Sequence, residues 1–296
     1  MKLIKPSWKI LEQEPGINGI YKAIERAGRT CYKSEDKITE NSAKGFVDRM
    51  IKSGHGSMLE HGTVYLLYSA NCYSRSDSEF INKYISNPYS KVICMGSDDD
   101  LVEQTDKNIY SGDIWGTGVY GNTVYAITTN YRTLIENNWL DDLKYICEPT
   151  EYHEKRICVR YTSDIHFYKD ITRHRVFSWA IESTRFCNYI KQKFGSSVSF
   201  AVPIWLKEEE QEEFEKDLKT IESIYFKWIN KGWQPQQAAY FLIQGTKAEI
   251  IMTGFISDYK HFFDLRSEIA KTGKPHPTVV ELIEPLRQEF VKKGLV

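Results

Sequence analysis

Apolar positions recur along this chain in two periods, and the switches between them mark out its elements. A period of three to four runs through Ile20, Ala23, Ile24 and Ala27 and predicts a helix over Ile20–Cys31, with Gly28 loosening its end. The same period in Ala43, Phe46, Val47, Met50 and Ile51 predicts a helix over Thr39–Ser53. Thr39 and Asn41 are its candidate caps and Gly54 sits where a helix-ending glycine belongs. Later, Phe214, Leu218, Ile221, Ile224, Tyr225 and Trp228 give one side of a long helix over Glu208–Lys231, whose many charges read as a solvated face. Pro235 suits the first turn of the next helix. Tyr259, Phe262, Phe263 and Leu265 predict an aromatic helix over Ser257–Ile269, and Val279, Val280, Leu282, Ile283 and Leu286 a last one starting at His276-Pro277. A period of two appears in Ile157, Val159 and Tyr161 against Arg156, Cys158 and Arg160, the mark of a half-buried strand. Thr63–Tyr68, Val124–Thr128 and Val198–Val202 also read as strands, and Lys2–Leu11 as an edge strand that Pro6 confines to an edge or a break. Ala248–Phe255 is apolar enough for a buried strand or a helix start, and 129–137 with 140–147 reads as a helix pair broken at Asn137-Asn138.

The stretch from Tyr73 to Gly121 lacks either period. It holds Asn87-Pro88, the run Asp98-Asp99-Asp100 and several glycines, and reads as a surface excursion with short elements, serving as a lid or an oligomer contact. Gly116 to Gly121 formally matches G-x-G-x-x-G, but no clear strand precedes it and a strand follows it. A dinucleotide-binding turn needs the opposite order, so a hairpin or loop is expected.

Composition narrows the classes. The chain has 296 residues, enough for one large domain or two small ones. A net charge of −1 argues against a general binder of nucleic acid or anionic membrane, whereas a small anion needs only a local basic pocket. The six cysteines form no C-x-x-C and have apolar or aromatic neighbours, so buried reduced thiols in a cytoplasmic protein are expected. No apolar run reaches the ~18–20 residues of a membrane span. Met1–Pro6 is too short and too polar for a signal peptide.

The densest chemistry lies in Arg173-His174-Arg175-Val176-Phe177-Ser178-Trp179-Ala180-Ile181-Glu182-Ser183-Thr184-Arg185, after a strand ending near Thr162 and a short helix from Ile165 to about Arg175. Three guanidiniums this close repel one another unless anions lie between them, and Arg suits bidentate grips on phosphate or carboxylate. The interleaved apolar residues predict half burial, which favours an anion site over an exposed basic turn. A second cluster, His55, Glu60 and His61, lacks the H-E-x-x-H spacing and an evident third ligand, so no metal is expected there and a solvated turn is the plain alternative.

Arg173-His174-Arg175, seven residues, then Ser183 resembles the signature of the flavin-dependent thymidylate synthases, the ThyX family. His55, Ser57 and Glu60 resemble a second motif of that family, placed before a strand and lining the flavin site. Phe262-Phe263-Asp264-Leu265-Arg266 resembles a third, an aromatic helix ending in Leu-Arg whose Arg lies against the substrate's pyrimidine ring. The resemblance implies an α/β (α+β) fold, a twisted and largely antiparallel sheet flanked by helices. It implies one catalytic domain over 1–296 with a family-atypical insertion at about 70–155, and a homotetramer with sites between subunits. It further implies reductive methylation of dUMP to dTMP, with FAD as hydride carrier and NADPH and methylenetetrahydrofolate as co-substrates.

By the same resemblance, Arg173, His174, Arg175, His55, Ser57 and Glu60 hold the flavin, with His261 in place of a family Asn. Asp170, Glu182, Ser183, Arg185 and Arg266 serve the substrate, with Arg266 and Ser183 closest to catalysis. Ser183 has no evident base beside it and reads as a substrate-binding hydroxyl rather than a nucleophile. The departures are Tyr240 where the family has a phosphate-binding Arg, and Phe255 and Ser257 where it has flavin-contacting Asn and Arg. Lys247 and Lys260 are the candidate substitutes for the missing Arg. Two other readings fit the same residues: a hydroxymethyl transferase acting on dUMP or dCMP, and a catalytically silent nucleotide-binding homologue.

Overall fold

Pro6 splits the expected first strand in two: β1 (Lys2–Ile4) and β2 (Ser7–Leu11) join different sheets. The computed structural model describes residues 1–71, 73–97, 122–183, 187, 189, 195–271 and 273–296. The acidic run 98–100, the glycine motif 116–121, Thr184 and Arg185 lie outside them. After β2 comes α1 (Gly16–Tyr32), which passes straight through Gly28. A Cβ there would lie 2.4 Å from Phe46 of α2 (Ser42–Lys52), so this glycine serves close packing rather than helix termination. Neither expected cap of α2 bonds through its side chain; Ser42 Oγ instead donates to the Thr39 carbonyl at 3.0 Å. Gly54 ends the helix as expected, with φ +70° and His55 N–H returning to the Met50 carbonyl at 3.0 Å. A single turn, α3 (Gly56–Leu59), leads on.

The chain divides into two compact units, residues 1–12, 24–58 and 157–296 in one, 13–23 and 59–156 in the other. The second unit is built on an antiparallel sheet of β3 (Thr63–Asn71), β4 (Lys91–Ser97) and β5 (Asn122–Asn130), in the order β3-β5-β4. Helix α4 (Arg75–Ile85), with Ser74 accepting from Asp77 N–H, and β4 are the short elements expected in the stretch after Tyr73. The expected helix pair is much reduced, to α5 (Tyr131–Glu136) and a 3-10 turn over Leu140–Tyr145. That turn stops because Ile146 bridges Leu66 of β3 and Cys147 N–H bonds the Tyr65 carbonyl.

The first unit resumes with β6 (Arg156–Asp164), α6 (Ile165–Ile171), β7 (Ser178–Ile181), β8 (Ser199–Ala201), α7 (Gln211–Asn230), α8 (Pro235–Ala238), β9 (Lys247–Phe255), α9 (Ile256–Arg266) and α10 (Pro277–Lys292). Its main sheet has the order β2-β6-β9-β7, with antiparallel pairs β2/β6 and β7/β9, while β1 pairs β8 in parallel. The fold is thus mixed α/β with antiparallel sheets, as expected. Every β9 residue after Lys247 is buried, which settles the strand-or-helix ambiguity: an unbroken apolar run suits a strand covered on both faces. Helices α9 and α10 bring Tyr259, Phe262, Phe263, Leu282 and Phe290 into one core with Tyr161 of β6.

The thiols are less uniform than expected. Of the five described, Cys187 is buried while Cys94, on the edge strand β4, is exposed. Among the described residues no helix is long and apolar enough to cross a membrane.

Candidate functional site

The signature does not continue the helix before it. Asp164 caps α6 by accepting from Phe167 N–H at 2.7 Å, and the helix ends at Ile171, not near Arg175. Arg173, His174 and Arg175 form the turn that follows, because the chain must swing round to bury Phe177. Phe177 is 4% exposed and lies on Gly254 of β9, where a Cβ would sit 2.2 Å from its ring. Glycine at that position is what lets the turn dock on the sheet.

Within the turn, His174 is the fixed member. Its N–H bonds the Ile171 carbonyl at 3.1 Å, its carbonyl accepts from Trp179 Nε1 at 3.3 Å, and its ring meets Phe262 edge-on at 4.9 Å. Its Nε2 accepts a hydrogen bond from Arg266 Nε at 3.0 Å. The first and third landmarks of the sequence therefore meet in one side-chain contact. Partial burial, with Arg266 and His261 nearby, pulls the His174 pKa down to about 4, so the imidazole is neutral at physiological pH. Arg173 and Arg175 are exposed. Among the described residues no carboxylate lies within 4.0 Å of a charged nitrogen of Arg173, Arg175 or Arg266. The result is a cationic patch with a neutral hydrogen-bonding ring at its centre, an arrangement that receives oxyanions.

Glu182 and Ser183 are held differently. Glu182 is 4% exposed, and its carboxylate accepts from Lys247 Nζ at 2.9 Å and from Glu249 N–H at 3.0 Å. Lys33 Nζ lies 3.7 Å from Glu182 and 3.1 Å from Glu249, and Arg160 bonds Glu249 as well. Burial opposes charge on Glu249, but Lys247, Lys33 and Arg160 outweigh it and hold its pKa at about 2. Lys247, a candidate for the missing phosphate Arg, is thus engaged by two carboxylates, while Lys260 is exposed. Ser183, half-buried, is tied through its N–H to the Cys31 carbonyl at 3.1 Å, at the end of α1. Sequence reading missed Lys33, Arg160 and Glu249. Alternating charges on the otherwise apolar β9 were the available signal for Glu249, whereas nothing local points from Lys33, at φ +48°, to Glu249, 216 residues away.

The second motif is divided. His55 and Ser57 are exposed in the first unit, where His55 Nδ1 meets Tyr32 Oη at 2.8 Å. Glu60 belongs to the second unit and binds Arg132 Nη1 at 2.6 Å, while its carbonyl accepts from Arg156 at 2.8 Å. His261 is exposed, with its ring 6.4 Å from that of His174. Asp170 is half-buried on α6. Of the departures, Tyr240 is 86% exposed, Ser257 is exposed and Phe255 is buried.

Comparison with known proteins bears on the same region. Residues 148–281 match the model of the thymidylate synthase complementing protein family. The flavin-dependent thymidylate synthase of Pyrococcus furiosus is 30% identical over 98 residues, which span 32% of this chain and only 39% of that relative. Two structures of a UMP/dUMP methylase, PolB from Streptomyces cacaoi, bound with 5-Br dUMP and with 5-Br UMP, align with 14% and 12% identity and TM-scores of 0.43 and 0.42. Those alignments cover 99% and 98% of this chain and 93% and 91% of theirs. The signature of residues 173–183 lies inside the matched stretch, so the resemblance first read from that signature stands: over residues 148–281 this chain is similar to the thymidylate synthase complementing proteins.

Proposed function

We propose that this chain methylates the pyrimidine ring of dUMP, giving dTMP, with methylenetetrahydrofolate as carbon donor, NADPH as reductant and FAD as hydride carrier. The observation that carries this reading is the 3.0 Å bond from Arg266 Nε to His174 Nε2, which joins two family landmarks inside a patch lacking carboxylate partners among the described residues. To react at C5 a uracil must gain electron density there, and a cation beside its ring carbonyls stabilises the charge that develops. Arg266 is the cation for that task. Ser183, tethered by its backbone, is a hydroxyl for the substrate, and Arg185 two residues on is the cation for its phosphate.

The exposed Arg173 and Arg175 with the neutral His174 suit an anionic, acceptor-rich group, and FAD is such a group. When bound, it supplies hydride transfer. His55, Ser57, Glu60 and His261 are the further residues proposed to hold it, Asp170 and Glu182 flank the nucleotide side, and the working unit is a homotetramer. A second reading, hydroxymethyl transfer to dUMP or dCMP, is favoured by one observation: Phe255, at a family flavin-contact position, is buried and apolar. Absorbance of the purified protein with added FAD and dUMP tests the main reading. Bands near roughly 370 and 450 nm that stay with the protein and bleach with NADPH are expected. Folded protein that recruits no flavin overturns it, and product mass then separates hydroxymethyl transfer from a silent homologue.

A further inference from the structure

A guanidinium that must keep its orientation is most simply held by a carboxylate, as Glu284 holds Arg287 here at 3.0 and 2.5 Å. That solution cancels the charge it orients. Arg266 is held by an imidazole nitrogen instead, through its Nε. Neither of its terminal nitrogens has a carboxylate within 4.0 Å among the described residues. The holder is itself rigid, fixed at its backbone N–H, at its carbonyl and at its ring edge by Ile171, Trp179 and Phe262. We infer that His174 is a positioning residue for Arg266: it fixes the plane of the guanidinium while leaving the full positive charge, and both terminal NH2 groups, for the ligand. The ligand edge this serves is rich in acceptors, a ring carbonyl or an oxyanion, and gains negative charge during reaction. Because Nε2 accepts, the ring proton sits on Nδ1, so the role needs neutral imidazole and is lost if a carboxylate takes its place.

This inference rests on the reading that Arg266 meets the pyrimidine nucleotide, and the test separates the two. The full chain is made as His174→Gln, His174→Glu and His174→Leu, and dUMP binding is titrated by calorimetry, with thermal melts to confirm folding. Glutamine supplies a neutral acceptor and should bind within about threefold of the parent, while leucine, with no acceptor, should bind about tenfold more weakly. Glutamate is the deciding variant. It grips Arg266 more firmly yet neutralises it, so its binding should be at least as weak as that of the leucine variant, with no loss of thermal stability. A purely structural role predicts that glutamine and glutamate behave alike, and equal binding by those two overturns the proposal. In an Arg266→Ala background, which removes the guanidinium altogether, the three variants should no longer differ. Should the parent bind no dUMP, the functional reading fails by itself. The contact is then judged by the Arg266 Nε–H resonance, expected to be protected from exchange in the parent and the glutamine variant and lost in the leucine variant. Its survival in the leucine variant overturns the positioning role.

Discussion

Two charged clusters lie in the first unit, and they are wired in opposite ways. Around Glu182 and Glu249, three carboxylates including Glu35 face three cations, Lys33, Lys247 and Arg160. The charges balance, and the side chain of Glu182 is 2% exposed. Around His174, three arginines carry charge with no carboxylate in reach among the described residues, and two of the three are exposed. A balanced buried network orders the chain but has little left to offer a ligand. An unbalanced exposed patch contributes little to folding and is ready for an anion. Glu182 and Arg175 stand seven residues apart in one signature stretch, assigned by the resemblance to substrate and to flavin respectively, and they sit on different sides of this division.

Mutation should break the clusters differently. Glu182→Leu leaves Lys247 and Lys33 short of a buried partner and should cost about 3–5 kcal/mol of stability, read by urea denaturation. Arg175→Ala should stay within about 0.5 kcal/mol of the parent in the same assay while weakening binding of an anionic ligand. If the two substitutions destabilise equally, the division is wrong. Next in size, Arg266→Ala should lower the rate of nucleotide turnover by roughly 100-fold or more without unfolding the chain, and Arg266→Lys should not restore it, because lysine lacks the Nε–H that His174 holds.

How much of this was legible in advance follows from the reach of each signal. The alternation of β6 and the helical stripes of α2, α7 and α10 are local, and they read correctly. The end of α6 was misread by about four residues, because what stops it is the burial of Phe177 against Gly254, a partner 77 positions away. Gly28 was misread for the same reason: the cause of its being glycine is Phe46 on another helix. Landmark motifs named Arg266 and His174 separately, but their contact crosses 92 residues of sequence. The Lys33–Glu249 pairing had no local mark at all.

Gly254 links fold to site and gives a smaller test. Gly254→Ala places a methyl group 2.2 Å from the Phe177 ring, which is buried and cannot swing away, so repacking should cost about 1–3 kcal/mol. Because Phe177 anchors the chain just after Arg175, the substitution should also disturb anion binding at the turn. Trimming the ring in Phe177→Leu on top of Gly254→Ala should recover part of the stability. No recovery would mean that the strand, rather than the ring, is what the glycine accommodates.

Acid offers the gentlest separation of the clusters, because they respond in different windows. His174 in the folded chain holds its pKa near 4, below the ordinary histidine value of about 6.5, since burial, Arg266 and His261 all disfavour its protonation. The unfolded chain therefore takes up a proton that the folded chain refuses, and this contribution to stability is intact above about 6.5 and is lost as pH falls towards 4. Glu249, held at about 2 by its lysines and Arg160 against the cost of burial, keeps its contribution above about 4.5 and loses it only as pH falls towards 2. Denaturation midpoints across this range should show a first decline, shared with His153 and His276 whose pKa values are also lowered by burial, that His174→Gln reduces, and a second that it leaves in place. If that variant leaves the first decline unchanged, the neutral imidazole is not what the turn is built around, and the contrast between the clusters would then rest on the arginines alone.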